Sequence, residues 1–422
     1  MEVTFADWTG GRALPSLGTN AGALQLPFQT WRNFKEAFAP ELVARAIRES
    51  KVPVRRCLDP FGGSGTTALA CQFLGVKPVT VEVNPFLADL IAAKLASYSL
   101  SSISSSLATL LRAANRKRVD PLTYFAAAPG TFVEPGVEGR WIFDHEVAAR
   151  IASLVEALGH IPDTNNRRLL RVLLGGILAE ISNVTISGKG RRYRQAWQLR
   201  HRRGADHVDE SLCAAVERAA SDIVRYGNRA ERRYKVVRGD ARRLTRNVAP
   251  VDLAIFSPPY PNSFDYTDVY NLELWALGYL DCRSANTRLR LSTLASHVQI
   301  NRQFPPPPQG SRTLTKTLAA LESPERTLWN RNIPAMVGGY FAEMLGIVGA
   351  VRRLLPPKGQ LWMVVGDSRY SGVTVNVATI LSELAPQVGC RIVLKEACRS
   401  MRSSAQQGGD ATLKETLLVL SV

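Results

Sequence analysis

The 422-residue chain reads as an α/β protein with a doubly wound, mostly parallel sheet closed by a C-terminal antiparallel hairpin. Three observations predict it. A strand, a glycine-rich loop, a helix, a second strand and a second helix follow one another between residues 52 and 98, which is how a parallel sheet opens. After a long helical interruption a further apolar strand appears, Val251 to Phe256. Near the C-terminus two runs of strand character, Arg391 to Leu394 and Thr416 to Val422, suit a hairpin.

Residues 1–22, rich in Gly, Thr and Ala, suggest a flexible lead-in. A helix opens at Pro40, a favoured early helix position. Val52 to Leu58 reads as a buried strand, the glycine loop follows, and the next helix runs to about Leu74. Val79 to Val83 is the second strand, and Pro85 starts a helix reaching about Tyr98. The alternation then stops for about 130 residues. Ser99 to Ser106 is Ser-rich, and helical spacing follows over 146–158, 167–182 and 210–225. The sheet resumes at Lys235-Val236-Val237 and again at Val251 to Phe256. A second irregular stretch, 286–334, contains four successive prolines from Pro305, which cannot sit inside a helix or sheet. Tyr340 to Leu354 and Val373 to Leu384 read as helices flanking a strand at Gln360 to Val365.

A net charge of +17 points to a polyanionic partner. The charge is clustered. Ser187 to Gly204 carries seven Lys or Arg in eighteen residues (Lys189, Arg191, Arg192, Arg194, Arg200, Arg202, Arg203), with Tyr193 and Trp197 interleaved and no acid. Six scattered cysteines without CxxC spacing indicate neither a zinc site nor a disulfide framework, and no metal is expected. No signal segment and no run of about 18 apolar residues is evident, so the expectation is a cytoplasmic protein with no membrane association.

Asp59-Pro60-Phe61-Gly62-Gly63-Ser64-Gly65-Thr66-Thr67 follows the first strand. Such a turn leaves backbone N–H groups open to a ligand, and its glycines allow close approach. Gly63-x-Gly65-x-x-Ala68 also fits a dinucleotide fingerprint, with Glu82 placed for a ribose. A P-loop would need a Lys after the last glycine, where Thr66 stands. Asp59 separates the other two readings. A carboxylate repels a pyrophosphate but pairs with the ammonium of S-adenosylmethionine, so a methyl donor is favoured.

Ser257-Pro258-Pro259-Tyr260 follows the strand at 251–256. The lone pair of a nucleobase amino nitrogen is delocalised into the ring. A site that accepts hydrogen bonds from both amino hydrogens favours a tetrahedral nitrogen and frees that pair for attack on a sulfonium methyl. The Ser257 hydroxyl and the Pro258 carbonyl offer two acceptors, and consecutive prolines hold the backbone without a competing N–H. Tyr260 offers a face to an extruded base, a contact contributing roughly 1 to 3 kcal/mol. That stacking would offset the few kcal/mol of flipping.

Together the two segments resemble the amino-methyltransferases that act on the exocyclic nitrogen of cytosine or adenine in DNA. The resemblance implies a class I methyltransferase-like fold and S-adenosylmethionine as donor. By motif match it assigns Asp59, Phe61, Gly63, Ser64, Gly65 and Thr66 to the methionine end of the donor. Glu82 and Asn84 fall to the ribose, Asp240 to the adenine amino group, and Phe34, Lys35 and Phe38 to a cover over the donor. Ser257, Pro258, Pro259 and Tyr260 carry the catalysis. Ser at the first clamp position is usual for cytosine N4 enzymes, whereas Asp or Asn is commoner for adenine N6, so cytosine N4 is favoured. Adenine N6, an RNA substrate and a non-catalytic DNA-binding protein remain alternatives.

The implied organisation is a lead-in (1–22), a donor-binding core part (23–98) and a helical insertion with the basic arm (99–232). A core part with the clamp (233–285), a Pro-rich insertion (286–334) and a third core part (335–422) complete it. Either insertion is a candidate to read DNA. Double-stranded DNA is the expected partner, with a cognate restriction or defence system possible. The motif order is linear and the large insert precedes Asp240, an unusual arrangement for the family.

Overall fold

A computed structural model describes residues 2–14, 17–18, 23–32, 37–187, 190–200, 202–402 and 412–422. Phe34, Lys35 and Lys189 lie outside the described residues. Among the described residues eleven strands follow in chain order: β1 (Arg56–Asp59), β2 (Lys77–Glu82), β3 (Val184–Ser187), β4 (Gly190–Tyr193), β5 (Lys235–Arg238), β6 (Leu253–Phe256), β7 (Gln360–Gly366), β8 (Ser368–Tyr370), β9 (Val373–Val375), β10 (Arg391–Arg402) and β11 (Thr412–Ser421).

Seven of these form one sheet, ordered β10-β11-β7-β6-β1-β2-β5. Pairing is parallel from β5 to β7, and only β11 runs against its neighbours. This is the doubly wound, mostly parallel sheet with a terminal hairpin, the class I methyltransferase-like architecture. The hairpin extends further than the two apolar runs because its distal half carries alternating polar residues, Lys395 to Arg402 against Thr412 to Thr416.

The strands explain two cores. Along β6, Leu253 and Ile255 join one hydrophobic cluster while Ala254 and Phe256 join the other, as a period of two demands in a sheet covered on both faces. The first face is covered by the helices Pro40–Glu49, Thr66–Phe73 and Pro85–Leu95, and beyond them by Leu100–Arg116, His145–Ala157, Thr164–Ile177 and Ala205–Tyr226. The second face is covered by Arg312–Leu321, Ile333–Arg352 and Val377–Leu384.

Several expectations need correction. The start of the lead-in is anchored, since Phe5–Thr9 is a helix with a capping box and Trp8 is buried, stacked on Phe73 with ring centroids 4.7 Å apart. The Ser-rich segment, to which no element was assigned, is helical. The helix Leu100–Arg116 begins there because Ile103, Leu110 and Ala114 recur at helical spacing on a buried face, leaving most of the serines to the outside. The 286–334 stretch includes the helices Arg283–Leu291 and Arg312–Leu321. Its polyproline lies along Ile333–Arg352, where Gly338 and Gly339 make room: a Cβ on either would sit 3.0–3.1 Å from Pro307, Phe304 or Pro305. The expected helix at 373 starts at Val377, because Val373–Val375 pairs with β8. Finally, Ile333–Arg352 is long and apolar enough to span a bilayer, with mean hydropathy 1.4, but 72% of that window is buried in the second core.

Candidate active site at the carboxyl edge of the sheet

The chain moves outward from β1 through β2 to β5, then crosses back to place β6 on the other side of β1. Between β1 and β6 the strand order reverses, and a crevice opens there at the carboxyl ends of the strands. Leu58 of β1 is in register with Ala254 of β6, so two segments almost 200 residues apart leave the sheet side by side. Phe61 from the glycine loop packs on Phe256 at 5.6 Å between ring centroids.

The loop needs its glycines. A Cβ on Gly62 would lie 2.3 Å from Thr80 Cγ2, and Gly63 and Gly65 have φ of 52° and 83°, the left-handed region. Gly65 heads the helix Thr66–Phe73 without a side-chain cap, which leaves the first-turn N–H groups to other partners. From beneath, Lys94, only 1% exposed, donates to the Ser64 carbonyl (2.8 Å) and to Gln29 Oε1 (3.0 Å). Burial pulls its ammonium down to about 7.

Glu82 ends β2 with both carboxylate oxygens held, Oε2 by the Gly63 N–H and Oε1 by the Asn84 N–H, each at 2.8 Å. Each oxygen keeps a lone pair, so the residue suits hydroxyl donors. Burial raises Glu82 to about 7, and does the same to Asp59, whose Oδ1 accepts the Phe61 N–H at 2.9 Å. Asn84 caps the next helix by accepting the Phe86 N–H (3.0 Å). Asp240 follows β5, beside Glu82 in the sheet, and its carboxylate is gripped by Arg242 through Nε (2.9 Å) and Nη2 (2.8 Å). Arg242 in turn donates to Glu343, which accepts the Ala295 N–H at 2.7 Å.

The clamp turns away from β6. Ser257 Oγ lies 3.0 Å from the Val364 carbonyl and 3.3 Å from the Tyr260 hydroxyl; its single proton serves one at a time. Tyr260 donates to Glu415 Oε1 on β11 at 2.9 Å, and Arg399 on β10 donates to Glu415 Oε2 at 2.7 Å.

One cavity of about 300 Å³ joins these groups. Phe38, Phe61, Gly63, Glu82, Asn84 and Asp240 line it together with all four clamp residues. Asp59, Ser64, Gly65 and Thr66 belong to the loop but do not line the cavity. Its volume and the buried Glu82 on its wall, with Asp59 and the uncapped helix start in the adjoining loop, fit an elongated cationic ligand such as S-adenosylmethionine. A donor hydroxyl finds an acceptor in Glu82, and an ammonium near the loop favours ionised Asp59.

Sequence reasoning missed part of the wall. Ser292, Thr293, Leu294, Ser296 and His297 line the cavity from the Pro-rich stretch, and burial holds His297 neutral, down to about 4. Beneath them Asp265 is paired with Arg290. Glu415 and Arg399 were also missed. Glu415 sits between Lys414 and Thr416 in the polar half of its strand and so reads as part of an exposed strand end, although it shares the buried face with Leu413 and Leu417; only the clamp's closeness in space marks it.

The basic arm is a hairpin of β3 and β4 followed by a short turn of helix, and β4 packs on the helix Tyr266–Val269 just beyond the clamp. Its arginines divide. Arg194 donates to the Ala179 and Ser182 carbonyls (2.7 and 3.2 Å), and Arg203 to those of Glu180 and Ser182 (2.5 and 2.9 Å). Both hold the turn that follows Thr164–Ile177. Arg191 is half-buried toward Asp268 and Glu273. Arg192 and Arg200 are exposed, and Arg202, also exposed, pairs with Glu134.

Comparison with known proteins agrees with this geometry. An N6/N4 family profile described as DNA methylase matches residues 13–94, the stretch that carries the glycine loop and Glu82. The type II methyltransferase M.AvaI of Nostoc sp. is 25% identical over 93% of this chain and 86% of its own length. M.BsoBI of Geobacillus stearothermophilus is 24% identical over 92% and 84%. M.XycI of Xanthomonas campestris pv. cyanopsidis is 35% identical over a shorter part, 22% of this chain and 33% of its own. A sheet wound in the class I order, with the loop and the clamp meeting at its reversal point, goes with a similarity to N6/N4-type DNA methylases over residues 13–94 and to type II methyltransferases over most of the chain.

Proposed function

We propose that the chain transfers a methyl group from S-adenosylmethionine to the exocyclic amino nitrogen of a base flipped out of double-stranded DNA, with cytosine N4 as the acceptor. The observation that carries this reading is the single cavity in which Glu82 and the glycine loop face Ser257 to Tyr260. Glu82 takes the ribose hydroxyls, Asp240 the adenine amino group, and Asp59 favours the ammonium end. The Ser257 hydroxyl and the Pro258 carbonyl take the two amino hydrogens, and the Tyr260 ring stacks on the base. Nitrogen attacks the methyl carbon in line, with inversion and no covalent enzyme intermediate.

Serine rather than an acid at position 257 supports cytosine over adenine. The long matches to type II methyltransferases support a DNA substrate and a place beside a cognate restriction endonuclease. The exposed arginines of the β3–β4 arm and the 286–334 stretch supply phosphate contacts.

The test is incubation with labelled donor and mixed-sequence duplex DNA, digestion to nucleosides and mass spectrometry. N4-methylcytosine is the expected product. N6-methyladenine would reassign the acceptor, and no methylated base under any condition would sink the proposal.

A further inference from the structure

The clamp's tyrosine is tied to a buried acid that the stacking role does not require. A Phe would stack as well. Yet Tyr260 donates at 2.9 Å to Glu415, whose side chain is 3% exposed on β11, one strand in from the sheet edge. Burying a carboxylate is costly unless it is paired, and Arg399 supplies the pair. The main chain closes over it as well: a Cβ on Gly18 would lie 2.8 Å from Glu415 Oε2. Ser257 Oγ, 3.3 Å from the Tyr260 hydroxyl, completes an unbroken line of three exchangeable oxygens along the cavity wall.

Methylation of an amino group creates a need that such a line meets. As the nitrogen lone pair forms the N–CH3 bond, the C–S bond breaks and its electron pair stays on sulfur. The nitrogen is left cationic, still carries both hydrogens, and must shed one. We propose that Glu415 accepts this proton through Tyr260, and that it also positions the Tyr260 hydroxyl to relay it. The inference rests on the methyltransfer reading given above. The N–H proton passes to Ser257 Oγ as the Ser257 proton, turned from Val364 toward Tyr260, passes to the phenol oxygen. The Tyr260 proton passes to Glu415. Glu415 ends as a neutral acid, Ser257 and Tyr260 end unchanged, and the methylated amine leaves neutral.

Glu415→Gln keeps a hydrogen-bond acceptor for Tyr260 but removes the proton sink, and Tyr260→Phe keeps the ring but removes the relay. Single-turnover methylation of duplex DNA, at saturating donor and DNA, reads the chemical step in wild type, in each variant and in the double variant. General-base assistance contributes about a hundredfold or more, so each variant is expected to slow the step by at least about tenfold. Donor and DNA dissociation constants should stay within about threefold of wild type. The double variant should be no slower than the worse single one, and Glu415→Asp should recover part of the rate.

Rates within about threefold of wild type for both variants would overturn the relay. So would losses matched by weaker substrate binding, which is the signature of a merely structural acid. Should Glu415→Gln fail to fold, Tyr260→Phe, which leaves the Arg399–Glu415 pair intact, decides alone. The wild-type control separates the two readings. No methylation by wild type defeats the proposed function and the relay with it, whereas active wild type with equally active variants defeats the relay only.

Discussion

Glu82 sets a carboxylate where burial opposes its ionisation, holding it near 7, and Asp59 experiences the same. A donor whose hydroxyls and ammonium need acceptors binds the ionised forms. The sign follows: below about 7 the acids are protonated, binding must release protons, and affinity falls as pH falls. For one such group the dissociation constant should rise about tenfold per pH unit below 7 and level off above it. Calorimetry with S-adenosylmethionine from pH 5.5 to 8.5 should show this, and Glu82→Gln should flatten the part that Glu82 contributes. Donor affinity constant across that range would refute the assignment. At this scale the site was legible where its chemistry is contiguous. Asp59 to Thr67 and Ser257 to Tyr260 each mark a candidate site within a few residues. Glu415 declares none, because what makes it notable is a hydroxyl 155 positions away.

Among the elements, the parallel strands and their helices were legible because strong apolar runs and glycine punctuation mark them. The helix Leu100–Arg116 was not, since serine content masked a buried face defined by a few residues. How the helical insertion seats on the core was also hidden. Its helix Thr164–Ile177 approaches closely through two glycines: a Cβ on Gly175 would lie 2.5 Å from the Phe86 ring, and one on Gly176 2.1 Å from the Trp31 carbonyl. The second contact is with backbone and cannot yield by a rotamer change. Gly176→Ala should therefore destabilise by about 1–3 kcal/mol, through overpacking. Gly346, exposed within Ile333–Arg352 and with nothing within 4 Å, offers the opposite case. There Ala should stabilise by about 0.5–1 kcal/mol through helix propensity. Urea unfolding of both variants checks the pair, and an unchanged midpoint for Gly176→Ala would mean that the insertion docks differently.

Over the whole molecule, a surplus of 17 positive charges is distributed by two competing demands, and the arm at 190–203 shows both. Composition alone treats its arginines as equivalent, but their partners separate them. Arg194 and Arg203 satisfy carbonyls in the turn after Thr164–Ile177, so removing either leaves acceptors unpaired and weakens the fold before it touches any DNA contact. Arg192 and Arg200 are exposed, and β4 abuts the segment beyond the clamp, so these two are the arm's candidates for the proposed phosphate contacts. Each phosphate contact contributes about 0.9 to the slope of log affinity against log salt. Replacing Arg192 and Arg200 together with Ala should lower that slope by about 1 to 2 in a duplex titration from 50 to 300 mM salt, with thermal stability kept. Replacing Arg194 should instead lower stability and leave the slope of the folded fraction nearly as it was. If the exposed pair leaves the slope untouched, the arm is scaffolding, and the positive surface that meets DNA lies on the 286–334 stretch, where Arg288, Arg312 and Lys316 are exposed.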